Sequence, residues 1–396
     1  MRTISASSFW PQWVLLGSLL ALLAGCTDPY LPEATSSPPN YLVVDGFLNS
    51  EGVTTIRLSR TYAIASKTAP PAETRATVYI EDEAGARFML FETVAGTYIS
   101  TALVLNTARK YRLHLNTAGG KEYVSEYVPV KTTPPIDDVR WRTTNAGLDV
   151  LVDTHDDANA TQYYRWEYDE TWEITPPYRP VVEYVGGMMR SIAVPYPLLC
   201  WSNARSTTVL IDKTTALTRD VVANFRVRQL LTTSNLLNTR YSVLVQQHAL
   251  TKEEYAYWEL LRRNTESIGS LFDPQPAQLT GNVRSLTSET DLALGYVGAH
   301  SLTEKRIFIS RRELPRTWPV QTGYESCIPP DSVFIDRPNP PPPNPARILQ
   351  DAFTNKDYLP IEGINNRISI LIGYTAQSRD CIDCRTRGTT VKPSFW

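Results

Sequence analysis

At 396 residues the chain is long enough for two domains, each with a core of its own. With 39 Lys+Arg against 41 Asp+Glu its formal net charge is −2, which offers no basic field and argues against a nucleic-acid partner. Pro is abundant (29) beside 10 Phe and 4 Met, and with frequent Thr, Val and Tyr this predicts a mainly β protein.

In chain order the first feature is an apolar run over 13–26. It is shorter than the roughly 20 residues of a membrane-spanning helix, and only Arg2 carries charge before it. This is the pattern of a secretory h-region. A buried N-terminal helix is the competing reading, and Pro29 and Pro32 oppose it. The run ends in Leu23-Ala24-Gly25-Cys26, which resembles the lipobox of bacterial lipoproteins, in which the Cys is acylated and becomes the first mature residue. The expectation is a lipoprotein signal peptide over 1–25, acylation at Cys26, and a lipid anchor and Pro/Ser/Thr-rich tether over 26–39. By the same resemblance, Thr27 rather than Asp after the Cys implies the outer membrane, with the N-terminal lipid as membrane partner. Asp28 and Glu33 are too few acids to choose between the periplasmic and surface faces. No later run is long and apolar enough to cross a membrane.

Residues 40–134 read as an antiparallel β-sandwich. Seven short β-prone segments, from 41–48 to 123–125, are separated by turns such as Glu83-Ala84-Gly85 and Gly119-Gly120, with no helix among them. Pro134-Pro135 closes the unit.

Residues 135–310 read as a second, Ig-like or fibronectin-like sandwich. In its clearest strand Tyr164, Trp166, Tyr168, Trp172 and Ile174 share one face, and Arg165, Glu167, Asp169, Thr171 and Glu173 share the other. A buried Trp on an early strand is how such sandwiches fill their cores. Residues 175–239, with Pro176-Pro177, Gly186-Gly187 and Pro195-Tyr196-Pro197, read as a long irregular insertion. One helix is expected over 251–268. Thr251 with Glu254 makes a capping box, Leu250 with Tyr255 a hydrophobic staple, and Tyr257, Trp258, Leu261, Thr265 and Ile268 an apolar stripe. Gly269, Pro274 and Pro276 stop it. Residues 282–284 and 294–297 should resume the second sheet, and 305–310 should close it.

The tail, 311–396, carries a Pro-rich run over 338–345, one short strand over 368–372 and three of four remaining thiols. Cys200, Cys327, Cys381 and Cys384 are an even set in an exported chain and predict two disulfides, with three connectivities open. Zinc or redox chemistry at Cys381-Ile382-Asp383-Cys384 is the competing reading; it lacks a second Cys-x-x-Cys, a nearby His and a βαβ setting. The tail is expected to be stapled to the second domain.

Several blocks together resemble the domain-of-unknown-function-4249 family of Bacteroidota envelope lipoproteins. They are Asp28-Pro29-Tyr30, Leu42-Val43-Val44-Asp45-Gly46, Tyr163-Tyr164-Arg165-Trp166-Glu167-Tyr168, Cys200-Trp201, Asn264-Thr265-Glu266 and Phe272-Asp273-Pro274-Gln275-Pro276. Lys305-Arg306-Ile307-Phe308-Ile309 and the segment from Cys381 to Trp396 complete the set. The resemblance implies an envelope lipoprotein, often encoded beside a TonB-dependent outer-membrane receptor, and carries over no catalytic residue.

The remaining constellations are weak. Glu167 and Asp169, with Cα atoms about 6.6 Å apart along one strand, have the makings of a glycosidase pair, but they read as the polar face of an amphipathic strand. Asp153, Asp156, Asp157 and Asn159 suggest a Ca²⁺ loop but lack the Gly and distal Glu, and they read as a turn. Tyr178, Tyr184, Tyr196 and Trp201 in the insertion form the candidate ligand-binding surface. Asp331-Ser332-Val333 resembles a Bacteroidota O-glycosylation signal, with Ser332 as acceptor. His114, His155, His248 and His300 are scattered without metal spacing, and neither a nucleophile motif nor a phosphate loop is found. The expectation is therefore a non-catalytic lipoprotein, without metal or cofactor, that assists a TonB-dependent receptor in nutrient capture. The alternative is a surface glycan-binding protein or glycan hydrolase using 175–239.

Overall fold

The computed structural model describes residues 40–62, 68–266, 279, 281–336 and 344–396. The lipobox, Cys26, the tether, the expected end of the helix past 266 and most of the Pro-rich run lie outside the described residues. Among those described, no helix is long and apolar enough to cross a membrane.

The first unit is built from β1 (Leu42–Asn49), β2 (Glu51–Arg60), β3 (Thr77–Asp82), β4 (Arg87–Val94), β5 (Thr97–Val104), β6 (Lys110–Asn116), β7 (Glu122–Ser125) and β8 (Val128–Lys131). It is a closed barrel, which corrects the expected sandwich. The strands run β6-β3-β4-β5-β2-β1, and β8 pairs back onto β6. The gap between β1 and β8 is filled by a two-residue strand, Ala299–His300, parallel to both. Leu48 N–H donates to the Gly298 carbonyl at 2.8 Å and Ser301 N–H to that of Lys131 at 3.1 Å. Eight strands thus return to their start, and closure removes the exposed edges a sandwich would leave. Inside lie Leu42, Val44, Ile56, Leu58, Ile80, Tyr98, Leu113 and Tyr123.

The second unit is made of β9 (Ile136–Thr143), β10 (Gly147–Asp156), β11 (Tyr163–Ile174), β12 (Val182–Val185), β13 (Met188–Ser191), β14 (Cys200–Arg205), β15 (Leu210–Lys213), β16 (Asp220–Leu231) and β17 (Arg240–Ala249). Helix α1 (Lys252–Glu266) follows, then β18 (Val283–Ser285), β19 (Ala293–Leu294), β20 (Ala299–His300) and β21 (Leu302–Ser310). One sheet is β16-β10-β9; the other is β14-β11-β17-β21, with β15 also on β11. One core joins them, in which Val150 and Val152 meet Trp166, Phe225, Tyr241 and Val243.

Two expectations for this unit need correcting. Residues 175–239 are not an insertion, because β14, β15 and β16 are integral strands of the sandwich and only the β12–β13 hairpin departs from it. Register shifts along β10–β16, with Asn224 at φ 58, break the alternation that would have revealed β16. Nor do 282–284 and 294–297 resume the second sheet. Strand β18 pairs with β7, and β19 and β20 pair with β1, so the chain returns to the barrel before β21 completes the sandwich.

Helix α1 starts at the expected place, with one half of the capping box: Glu254 N–H donates to Thr251 Oγ1 at 3.1 Å, and Leu250 and Tyr255 share a small core with Ile211. The tail holds more regular structure than the single strand expected over 368–372, and that strand starts only at Leu371, because residues 368–370 lie in the turn before it, with Ser369 at φ 62. Strands β22 (Asp331–Phe334), β23 (Tyr358–Asn365) and β24 (Leu371–Ser378) form a sheet with helix α2 (Pro345–Phe353). Its core includes Phe353, Tyr374 and Ala376 and takes in Val182, Tyr184 and Met189 of the β12–β13 hairpin. The four cysteines form two disulfides, Cys200–Cys384 and Cys327–Cys381. The first ties β14 to the chain end across 184 residues, and the second closes a loop within the tail.

Candidate functional site

Strand β11 presents Tyr164, Trp166 and Tyr168 to the sandwich core and turns Arg165, Glu167 and Asp169 the other way. That second face is not open to solvent at its start. Helix α1 packs over it, and β1 and β2 of the barrel stand opposite across a cavity of about 400 Å³.

Charged groups line this cavity from all sides. Arg165 is only 8% exposed. Its guanidinium lies over the indole of Trp258, 4.2 Å from the ring centre, and its Nη1 donates to Glu167. Arg205, from β14, donates to the other oxygen of Glu167 at 2.9 Å. Burial pushes the Glu167 carboxyl up, but the Arg165 and Arg205 charges outweigh it and hold the group below the usual carboxylate range. Asp169 lies farther out, 3.7 Å from Arg205, and burial raises it despite that neighbour. Glu167 is thus a structural anion clamped by two cations, as a polar-face residue would be, and it is poorly suited to proton transfer.

Glu254 is the third residue of α1, where the capping-box reading points its side chain back at the helix start. It is instead 2% exposed and turned inward, with Oε1 3.7 Å from Nε2 of His300. It fits there because residue 298 is Gly; any Cβ would collide with the carboxylate. Below it, Phe47 stacks on His300 at 4.3 Å, and His248 meets both rings edge-on at 5.0 Å. Burial, then the Arg165 charge, push the His248 imidazole well below its ordinary pKa.

Buried polar atoms in folded proteins are nearly always hydrogen-bonded. Ten buried side-chain atoms among the described residues lack a partner, and three of them belong to residues that line this cavity: Arg165 Nε, Trp258 Nε1 and Gln246 Oε1. Both nitrogens of His248 and Nε2 of His300 lie behind Phe47. A smaller cavity of about 160 Å³ shares Arg165, Glu167, Ser206 and Trp258 with the large one. The arrangement can donate hydrogen bonds at one point and accept them at another. Ser206 Oγ accepts from Tyr168 N–H at 3.0 Å, and Thr55 and Tyr296 bring further hydroxyls to the lining.

The aromatic surface expected from the sequence does not assemble as one platform. Tyr178 donates its hydroxyl proton to the Cys327 carbonyl at 2.7 Å beside the disulfides. Trp201 is 8% exposed, on β14. Tyr184 and Tyr196 do meet, around a separate cavity of about 160 Å³ that also contains Phe353 and Arg379. In the acidic turn, Asp156 accepts from the N–H groups of Ala158, Ala160 and Thr161, Asp153 from that of Asn224, and Asn159 from that of Asp220. These oxygens already organise the turn, and no cluster able to hold a metal ion is found among the described residues. Ser332 is exposed on β22. Sequence reasoning missed Arg165, Glu254 and Trp258 as a group. The available signal was an Arg set between two core aromatics, and a helix pairing a Glu with a Trp one turn on.

What fold and site define is a β protein in which a barrel and a sandwich enclose a polar cavity. The chain belongs to the family described as Domain of unknown function (DUF4249), whose model matches residues 27–306. A comparison with curated proteins finds no match. Among solved structures the chain is similar to chitinase ChiA74 from Bacillus thuringiensis, at 10% identity over 48% of this chain and 30% of that one, with a TM-score of 0.14. It spans less than a third of the chitinase's length. It is also similar to the BSP domain of a biofilm-associated protein, at 6% identity over 72% and 62% of the two chains, with a TM-score of 0.12. Both likenesses are too slight to bear on fold or activity.

Proposed function

We propose that this protein is a non-catalytic, lipid-anchored outer-membrane protein of the Bacteroidota envelope that holds a small ligand between barrel and sandwich. In this reading it serves as accessory partner to a TonB-dependent receptor in nutrient capture. The observation that carries the binding role is the cavity of about 400 Å³ with unpartnered buried donors and acceptors gathered around it. The lipobox-like segment ending at Cys26 supports the anchor, and the family resemblance supports the receptor. We also infer an Ig-like ancestry for the second unit. A three-stranded and a five-stranded antiparallel sheet share its core, and the fully buried Trp166 lies on its third strand.

The test is affinity purification of the native protein from detergent extracts without crosslinking. Co-purification of a TonB-dependent receptor is the expected result; recovery of the lipoprotein alone from several detergents overturns the receptor role. The glycan-binding alternative draws its support from the cavity shared by Tyr184 and Tyr196. It predicts that oligosaccharides raise the melting temperature and that Tyr196→Ala removes the effect.

A further inference from the structure

We propose that the barrel–sandwich cavity takes an amino-acid zwitterion, either free or as a short peptide. The proposal rests on the reading of that cavity as a binding site and adds the class of its ligand.

The carboxylate end is set by Arg165 and Trp258. A guanidinium offers two parallel edges for bidentate bonding. Nη1 of Arg165 is used by Glu167, while the Nε–Nη2 edge takes no acceptor among the described residues, and Nε is fully buried. The indole Nε1–H of Trp258, also buried, has no acceptor either. Since the Trp258 ring is stacked on this same guanidinium, the two sets of donors are neighbours, and both residues line the cavity. A carboxylate satisfies them together. A neutral hydroxyl leaves the charge of Arg165 with only the shared Glu167.

The ammonium end is set by Glu254. It lies four residues before Trp258 on α1, so the two side chains leave the same helix face about 5–6 Å apart. Its carboxylate is buried, lines the same cavity, and finds as cation-capable neighbour among the described residues only His300, at 3.7 Å. A simple anion at Arg165 would approach this carboxylate unfavourably, and a simple cation at Glu254 would leave the Arg165 donors unmet. A molecule with both charges a few ångströms apart satisfies each end. Phe47, Tyr296 and Leu302 supply apolar surface for its side chain in a wall that also carries Asp45, Arg57 and Gln246.

The full-length lipidated protein in detergent is dialysed to equilibrium against an equimolar mixture of the twenty L-amino acids, and separately against alanyl dipeptides, and bound species are quantified by mass spectrometry. At least one zwitterion should be retained saturably. Its deaminated and decarboxylated analogues should each bind at least tenfold more weakly by titration calorimetry. Glu254→Gln should weaken the zwitterion and remove its advantage over the deaminated analogue, whose own affinity should rise as the repelling carboxylate is neutralised. Trp258→Phe, which keeps the ring on Arg165 and removes its N–H, should weaken both alike and serves if Glu254→Gln does not fold. Retention of no zwitterion overturns the proposal. Equal binding of the deaminated acid overturns the zwitterion assignment but leaves the cavity as a carboxylate site. Retention of the ligand with an unchanged Kd in both variants places binding elsewhere and overturns the cavity reading as well.

Discussion

Trp166 donates its indole proton to Oε1 of Gln247 at 2.9 Å, and neither side chain is exposed at all. The amide nitrogen of Gln247 donates in turn to the Pro134 carbonyl at 2.9 Å and to Thr154 Oγ1 at 3.0 Å. One side chain therefore joins β17, β11 and β10 to the segment that leaves the barrel. Replacing it by Leu strands the Trp166 N–H, while the Pro134 carbonyl keeps the Thr303 hydroxyl at 3.0 Å. An orphaned buried group costs roughly 1–3 kcal/mol. Gln247→Leu should lower the free energy of unfolding in urea by an amount in that range; a change within error of zero would show that water replaces the amide.

His248 should make the fold acid-sensitive in a window above that of the carboxylates. Its folded pKa is depressed by burial first, then by Arg165, His300 and Arg205, which face it, while Glu254 lies beyond His300. The unfolded chain therefore takes up a proton at higher pH than the folded one. The stability from the neutral folded form is complete above the ordinary His pKa of about 6.5 and is lost as pH falls below it, by up to about 1.4 kcal/mol per pH unit. The melting temperature should drop between pH 7 and 5, and His248→Leu should flatten that slope. An unaltered slope in the variant would assign the sensitivity to other groups.

The Cys200–Cys384 bridge should hold the chain end to β14. Closing a loop across 184 residues stabilises by about 5 kcal/mol in the chain-entropy model. The paired substitution Cys200→Ser/Cys384→Ser should lower the stability by an amount of that order and expose the segment after Ser378 to protease before the barrel is cut. The Cys327–Cys381 bridge, spanning 54 residues, should remain. Thiol titration of the denatured, unreduced wild type should find all four of these cysteines blocked; four free thiols would contradict both bridges.

Membrane attachment should depend on the acylated residue. If the lipid is the anchor, Cys26→Ala moves the protein to the soluble fraction while its melting temperature stays unchanged, because the described fold begins at residue 40. Retention of the variant in membranes after a high-salt wash would refute the lipobox reading.

The β class, the alternation of β11, the burial of Trp166, the start of α1 and the oxidised state of the thiols were legible in the residues themselves. Each is a consequence of local spacing or of residue chemistry, which a chain carries before it folds. Which thiols pair, how the barrel closes and what covers Arg165 were decided only by tertiary structure. The closing strand is brought to β8 from far along the chain, and Thr133, just after β8, is held by Ser301 at a separation of 168 residues. The polar face of β11 has the same two-residue period whether it meets water or a barrel, so the pattern could show that Arg165 and Glu167 point away from the core but not that a second unit lies opposite. Glu254 makes the same point within a single turn of helix. The capping-box spacing and the inward position use the same residue, and the choice between them lies with Gly298, which leaves room for the carboxylate beside His300.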